Sequence, residues 1–153
     1  MEADLSVLSP GPHIRVALTE GPIIAPANFA EAARQAANAG AVITFLGCVR
    51  GSEATSENTL EPIDGLEYEI YEPMTSRELD RLAHSHAIKH GVIAVDVEHS
   101  FGFVGNGGCS FVLQVAAAHR KEAIAFVDDF IDAMKKHVPI WKVPRSTADE
   151  GNS

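Results

Sequence analysis

The chain has 153 residues, 46% apolar and 22% charged, with a formal net charge of −9. That length gives one domain with room for a real core, and the composition is that of a soluble globular protein. The acidic balance argues against nucleic-acid or anionic-membrane binding, no apolar run approaches the roughly 20 residues of a membrane span, and residues 1–12 lack the basic start and apolar stretch of a secretory signal.

Residues 1–12 are expected to be a loose arm, 13–145 a single α+β domain and 146–153 a loose tail. Residues 13–18 (HIRVAL) alternate weakly and predict a first strand. Gly21, Pro22 and Pro26 make 19–27 a connector. Asn28 with Glu31 predicts a capped helix start. Phe29, Ala32, Ala33, Ala36 and Ala37 supply its buried stripe, and Gly40 stops it. Residues 41–49 (AVITFLGCV) are β-branched and continuous, as a central strand is, with Arg50 at the end. The polar stretch 51–64 is long for a compact domain, which points to a mobile or functional loop. Residues 66–71 (LEYEIY) alternate strictly and predict a strand with one wet face. Thr75 with Glu78 predicts a capping box opening a second helix to about His90, with Leu79, Leu82 and Ala83 inward. Residues 92–97 (VIAVDV) predict a strand, 101–108 (FGFVGNGG) a glycine-rich turn and 109–118 (CSFVLQVAAA) another strand.

A long helix follows. Ile124, Val127, Ile131, Met134 and Val138 alternate in steps of three and four, the spacing of one apolar face. Pro139 ends it, and Ile140 and Trp141 follow as an apolar anchor. The order β-α-β-β-α-β-β-α describes a two-layer, ferredoxin-like α+β sandwich. Many unrelated functions use that architecture, so the fold alone decides nothing.

Several clusters have plain explanations. His84, His86 and His90 lie on the second helix without an HExxH pattern or a cysteine pair, so a solvated face is preferred and no metal is expected. Gly105, Gly107 and Gly108 precede a strand rather than a helix, which makes a hairpin turn and not a phosphate loop. Cys48 and Cys109 form no CxxC pair, which fits a reduced, cytoplasmic protein. Each sits in an apolar strand. Arg50 or His119 nearby would favour a thiolate, but buried packing is preferred. Asp128, Asp129 and Asp132 read as a solvated face or as partners of Lys135 and Lys136.

The cations are different. Residues 119–145 carry six basic side chains against four acidic ones on an otherwise acidic chain. Lys135 and Lys136 suit the negative end of the helix dipole. Arg120 and Lys121 oppose the dipole at the other end, so an anionic ligand near His119–Arg120 is the sharper reading. Arg50, His119, Arg120, Lys135 and Lys142 come from a strand end, a helix start, a helix end and the segment beyond. A compact sandwich can bring such points together. On these grounds an anion pocket and scattered surface cations both stay open. A lysine among other cations gives up its proton more readily, which suits acid–base or nucleophilic work.

Five segments resemble, in order, those of the molybdopterin synthase catalytic (large) subunit family, the MoaE family. They are 40–50 (GAVITFLGCVR), 65–74 (GLEYEIYEPM), 97–105 (VEHSFGFVG), 117–123 (AAHRKEA) and 138–142 (VPIWK). The resemblance covers residues 13–143, and the pairing of AHRKEA with KKHVPIWK is specific. It implies an α/β-hammerhead relative of the sandwich and a homodimer. It also implies a small ubiquitin-like sulfur-carrier subunit docked at each end, hence a heterotetramer. The implied activity is that of a sulfurtransferase of molybdenum cofactor biosynthesis, with no cofactor of its own. Two sulfurs pass in turn from the carrier's C-terminal glycine thiocarboxylate to cyclic pyranopterin monophosphate. The cyclic phosphate opens, and the dithiolene of molybdopterin results.

Carried onto this sequence, the resemblance implies Lys135 and Lys142 as catalytic, substrate-binding lysines. It implies Arg50, His119 and Arg120 as substrate-binding groups that hold the phosphate by charge-assisted hydrogen bonds. Lys142 would stabilise charge at the thiocarboxylate carbonyl or transfer a proton, and Lys135 would act as acid–base or transient acyl acceptor. Trp141, with Pro139 and Ile140, is expected to fix the direction of Lys142 by packing. The chain departs from the family at Ser100, where arginine is common, and at Asn106, where an acid is usual. Val143–Pro144 replaces a lysine–glutamate pair, and the 51–64 loop is longer than in many relatives. The alternative is a non-catalytic ferredoxin-like module that binds a phosphorylated metabolite; it does not explain two lysines flanking a rigid PIW segment. An RNA-binding sandwich using Phe45, Tyr68 and Tyr71 is disfavoured by the net charge.

Overall fold

The computed structural model describes residues 11–26, 28–35, 39–54 and 60–146. The expected arm up to residue 10, Ala36 and Ala37, the middle of the 51–64 loop and the expected tail from residue 147 lie outside the described residues. The elements are β1 (His13–Glu20), α1 (Phe29–Gln35), β2 (Ala41–Cys48), β3 (Ser52–Ala54), β4 (Leu60–Pro62), β5 (Gly65–Ile70), α2 (Met74–His90), β6 (Ala94–Gly105), β7 (Cys109–Ala117), α3 (Arg120–His137) and β8 (Ile140–Arg145).

The expected α+β sandwich forms, with three strands more than the pattern suggested. β3 and β4 make a small hairpin inside the polar loop. β8 takes the place of the expected apolar anchor and ends the sheet order β2-β7-β6-β5-β8. Pro144 masks β8 in the sequence, because proline cannot donate to a ladder; at a sheet edge that costs little.

β6 organises the sheet. Its first eight residues run parallel to β1, from His13↔Ala94 to Glu20↔Phe101, and its start also pairs antiparallel with β7. Its last four pair antiparallel with β5, from Tyr68↔Gly102 to Gly65↔Gly105. The change of neighbour falls at Gly102, whose φ of 78° is accessible to glycine at little cost. Most of the expected glycine-rich turn is therefore strand, and only Asn106, Gly107 and Gly108 connect β6 to β7.

α2 and α3 cover one face. Leu79, Leu82, Ala83 and Ala87 of α2 meet Ala123, Phe126, Phe130 and Met134 of α3 over Val95, Val97, Leu113 and Val115. The expected α3 face is thus corrected. Phe126 and Phe130 are fully buried, while Ile124 is 56% exposed. Both stripes have the helical period, and area decides between them. The two phenyl rings stack at 5.5 Å and remove more apolar surface from water than Ile124 and Val127 would.

The start of α2 also differs from expectation. The Thr75 hydroxyl accepts from the Tyr71 N–H and donates to the Pro139 carbonyl, each at 2.9 Å. Glu72 instead accepts the Ser76 N–H at 2.8 Å, and Glu78 turns to Arg81 at 2.7 Å. Thr75 thereby ties α2 to the bend between α3 and β8. On the far side, Asp129 accepts from Lys89 and from His90, each at 2.8 Å. His86 and His90 are half-buried there, so this histidine face is a lock between helices rather than a solvated surface.

Candidate functional site

The end of β2, the hairpin strand β3, the last turns of α3 and β8 enclose a cavity of about 540 Å³. Its floor is neutral. The Tyr68 hydroxyl of β5 donates to Ser110 Oγ of β7 at 2.9 Å. Tyr68 and Phe111 flank the His99 ring at 5.2 and 5.7 Å. His99 is only 6% exposed. Its Nδ1 lies 2.8 Å from the Ser100 carbonyl, so Nδ1 carries the hydrogen and Nε2 is left as an acceptor. Burial pushes its pKa down, opposed in part by that backbone bond, and the ring is uncharged near neutrality.

The rim is cationic. Arg50 follows β2, Lys135 sits in the last turn of α3 and Lys142 projects from β8, and all three line the cavity. Lys135 is at the helix end where a cation is favoured. The bend at Val138–Pro139 then turns the chain back, and β8 pairs with β5 so that Lys142 stands opposite Tyr68. Lys142 Nζ lies 2.9 Å from Glu53 Oε1. Among the described residues, Arg50 and Lys135 make no ion pair.

His119 and Arg120 are elsewhere. They open α3, and its 18 residues put the two ends about 27 Å apart. The His119 N–H donates to Glu122 at 3.0 Å, and that carboxylate supplies the negative partner this helix end favours. Arg120 lines a second, shallower groove with Ile43, Phe45, Ile124 and Val127 along β2 and α3. Of the five candidate cations, one chain brings three together and leaves two outside.

Trp141 does not pack as expected. It is 63% exposed, on the face of β8 opposite Lys142. The β5 ladder and the Thr75–Pro139 bond fix the direction of Lys142 instead. Cys48 is exposed at the cavity wall rather than buried, opposite half-buried Cys109, whose thiol burial pushes up in pKa. Asn106 has a clear purpose: its side-chain amide donates to the Ile63 carbonyl, which a carboxylate could not do. Among the described residues, no group of three His, Cys, Asp or Glu side chains could hold a metal, and no helix is long and apolar enough to cross a membrane.

Sequence reasoning missed Glu53, Tyr68, His99 and Ser110 as cavity residues. The alternation in LEYEIY puts Tyr68 on the side of Leu66, a signal that was available. Glu53 gave none, lying in a polar stretch without periodicity. Three cations above an aromatic, neutral floor suit a flat polar ring that carries an anionic group.

Residues 18–137 match the model of the family described as MoaE protein. The chain is 35% identical over 112 residues to a probable molybdopterin synthase of Haloferax volcanii, covering 73% of this chain and 42% of that protein. It is 31% identical over 112 residues to the molybdopterin synthase catalytic subunit of Pyrococcus abyssi, covering 73% and 71%. The chain therefore spans less than half of the Haloferax protein and most of the Pyrococcus one. Among solved structures it is similar to molybdopterin synthase from Staphylococcus aureus, with a TM-score of 0.68 and 26% identity over 83% of this chain and 88% of that one. It is also similar to a chain in a complex of subunits 1 and 2 of molybdopterin-converting factor from Helicobacter pylori, with a TM-score of 0.62 and 27% identity over 84% and 83%. A family match along most of its length, relatives at 31–35% identity and a shared fold place the chain in the MoaE family.

Proposed function

We propose that the cavity between β2, α3 and β8 takes two substrates, the C-terminal thiocarboxylate of a small ubiquitin-like carrier subunit and cyclic pyranopterin monophosphate, and moves sulfur from the first to the second. The observation that carries this is the convergence of Arg50, Lys135 and Lys142 over the neutral floor of Tyr68 and His99. The thiocarboxylate sulfur bonds to a side-chain carbon of the pterin as that carbon's bond to oxygen breaks, the oxygen leaving on the opened phosphate for one sulfur and as water for the other. The acyl–sulfur bond then breaks by attack of water, which frees the carrier as a carboxylate; where Lys135 attacks first as transient acyl acceptor, water then hydrolyses the acyl-lysine to the same carboxylate. The Lys142 ammonium donates to the thiocarboxylate carbonyl oxygen as charge develops there. Arg50 holds the phosphate by charge-assisted hydrogen bonds. The two-subunit composition of the Helicobacter pylori neighbour supports a second, small subunit.

His119 and Arg120 join this site from a second copy of the chain. Phe45, Leu46 and Ile124 leave an exposed apolar face beside Arg120. That groove shares Phe45 and Ile131 with the cation-rimmed cavity. In a symmetric dimer the same patch serves both copies, so a partner covering this face carries its own Arg120 toward the neighbouring cavity. Arg50 then shares the phosphate with the partner's His119 and Arg120, which is the cytoplasmic homodimer expected of the resemblance.

The test is turnover of cyclic pyranopterin monophosphate with thiocarboxylated carrier, the dithiolene being read by mass spectrometry. Lys135→Ala and Lys142→Ala should each lower turnover about 100-fold or more. Near-normal turnover in both would overturn the proposal. Pterin bound by wild type but left unchanged would favour the binding-module alternative.

A further inference from the structure

The three rim cations are not equivalent. Among the described residues, Lys142 alone of the three has a carboxylate partner, Glu53, at 2.9 Å; the acid side chain is 22% exposed and the lysine 56%. The lysine therefore reaches toward the better sheltered group. Among the described residues, Glu53 is the one carboxylate that lines the cavity. The next position on the same face of β8 is Pro144, which offers none.

Glu53 is held in place from several sides. β3 pairs with β4 from Ser52↔Pro62 to Ala54↔Leu60. The Ile63 N–H donates to the Gly51 carbonyl at 3.1 Å and closes the hairpin base. Ile63 is buried with Val49, Leu66 and Val104, and the Asn106 amide holds its carbonyl. The hairpin is thus anchored to the β5–β6 region, and β5 also carries Lys142 through β8. Glu53 stands directly opposite Glu61, and like charges facing each other across a ribbon are unfavourable. The chain keeps the pair, and Lys142 offsets it.

We propose that Glu53 is a positioning residue that pins the Lys142 ammonium over the cavity and so makes the two lysines unequal. This rests on the sulfur-transfer reading of the cavity. Lysine carries much rotamer freedom, and a fixed ion pair removes it before substrate arrives. Lys142 becomes the stationary ammonium that meets developing negative charge. Lys135, which makes no ion pair among the described residues, is left to exchange a proton or accept an acyl group.

Two readouts test this in the full chain with its carrier. Glu53→Gln keeps the shape and removes the charge; Glu53→Asp keeps the charge on a shorter stem. With Glu53→Gln, kcat should fall about tenfold and KM for the pterin stay within about twofold, while Glu53→Asp recovers part of the loss. Separately, limited acetylation with acetic anhydride, read by peptide mass spectrometry without turnover, reports on each amine. Lys142 acetylation should rise about threefold in Glu53→Gln relative to Lys135, the release expected for one exposed ion pair. Unchanged labelling at Lys89 and Lys121 shows that the fold is kept. Unchanged Lys142 labelling in Glu53→Gln overturns the proposal whatever the turnover, and so does wild-type kcat in that variant. If wild type shows no turnover but Lys142 labelling still rises in Glu53→Gln, the pinning of Lys142 stands and the sulfur-transfer reading falls.

Discussion

His99 and Asp129 depart from ordinary ionisation in opposite structural settings. His99 is buried, and its folded-state pKa lies below the ordinary value of 6.5. The unfolded chain takes up a proton there that the folded one refuses. Its contribution to stability is therefore full above about pH 6.5 and is lost as pH falls toward the lowered folded value. The urea midpoint should decline between about pH 7 and 5.5 in wild type and decline less in His99→Gln. Parallel declines in the two proteins would show that His99 is not the group responsible. Asp129 works in a lower window. Hydrogen bonds from Lys89 and His90 hold its carboxyl at about 2, down from 3.8, so its contribution is present above 3.8 and fades as pH approaches 2. Arg50, Lys135 and Lys142 were legible because a motif marked them. Glu53 and His99 were not, because one depends on hairpin register and the other on which strand crosses the cavity floor.

At the scale of elements, α3 shows where pattern reading succeeds and where it slips. The period correctly gave a helix, and Pro139 correctly gave its end. Which apolar stripe faces inward was not decided by spacing, since two stripes share Met134 and Val138. Volume decided it, through Phe126 and Phe130. Phe130→Ala should therefore cost about 3–5 kcal/mol in urea unfolding, whereas Ile124→Ala should cost less than about 1 kcal/mol. The reverse order would restore the face that spacing alone suggests. β8 was missed because a proline in a six-residue strand removes the usual signal, and only its edge position makes that proline harmless.

At the scale of the whole molecule, the α+β sandwich was legible from alternating and helical periods. Chain order alone let five cations converge. The length of α3 separates His119 and Arg120 from Lys135 and Lys142, a separation that the predicted helix already carried at about 1.5 Å per residue. The proposed sharing of one copy's cavity with the other copy's helix start is tested by mixing the Lys142→Ala and Arg120→Ala chains, each expected to be inactive alone, and letting the subunits exchange. Half of the dimers are then mixed, and each mixed dimer has one site with both groups intact, so turnover should recover to about a quarter of wild type. No recovery, with exchange confirmed by native mass spectrometry, would contradict a site shared between two copies.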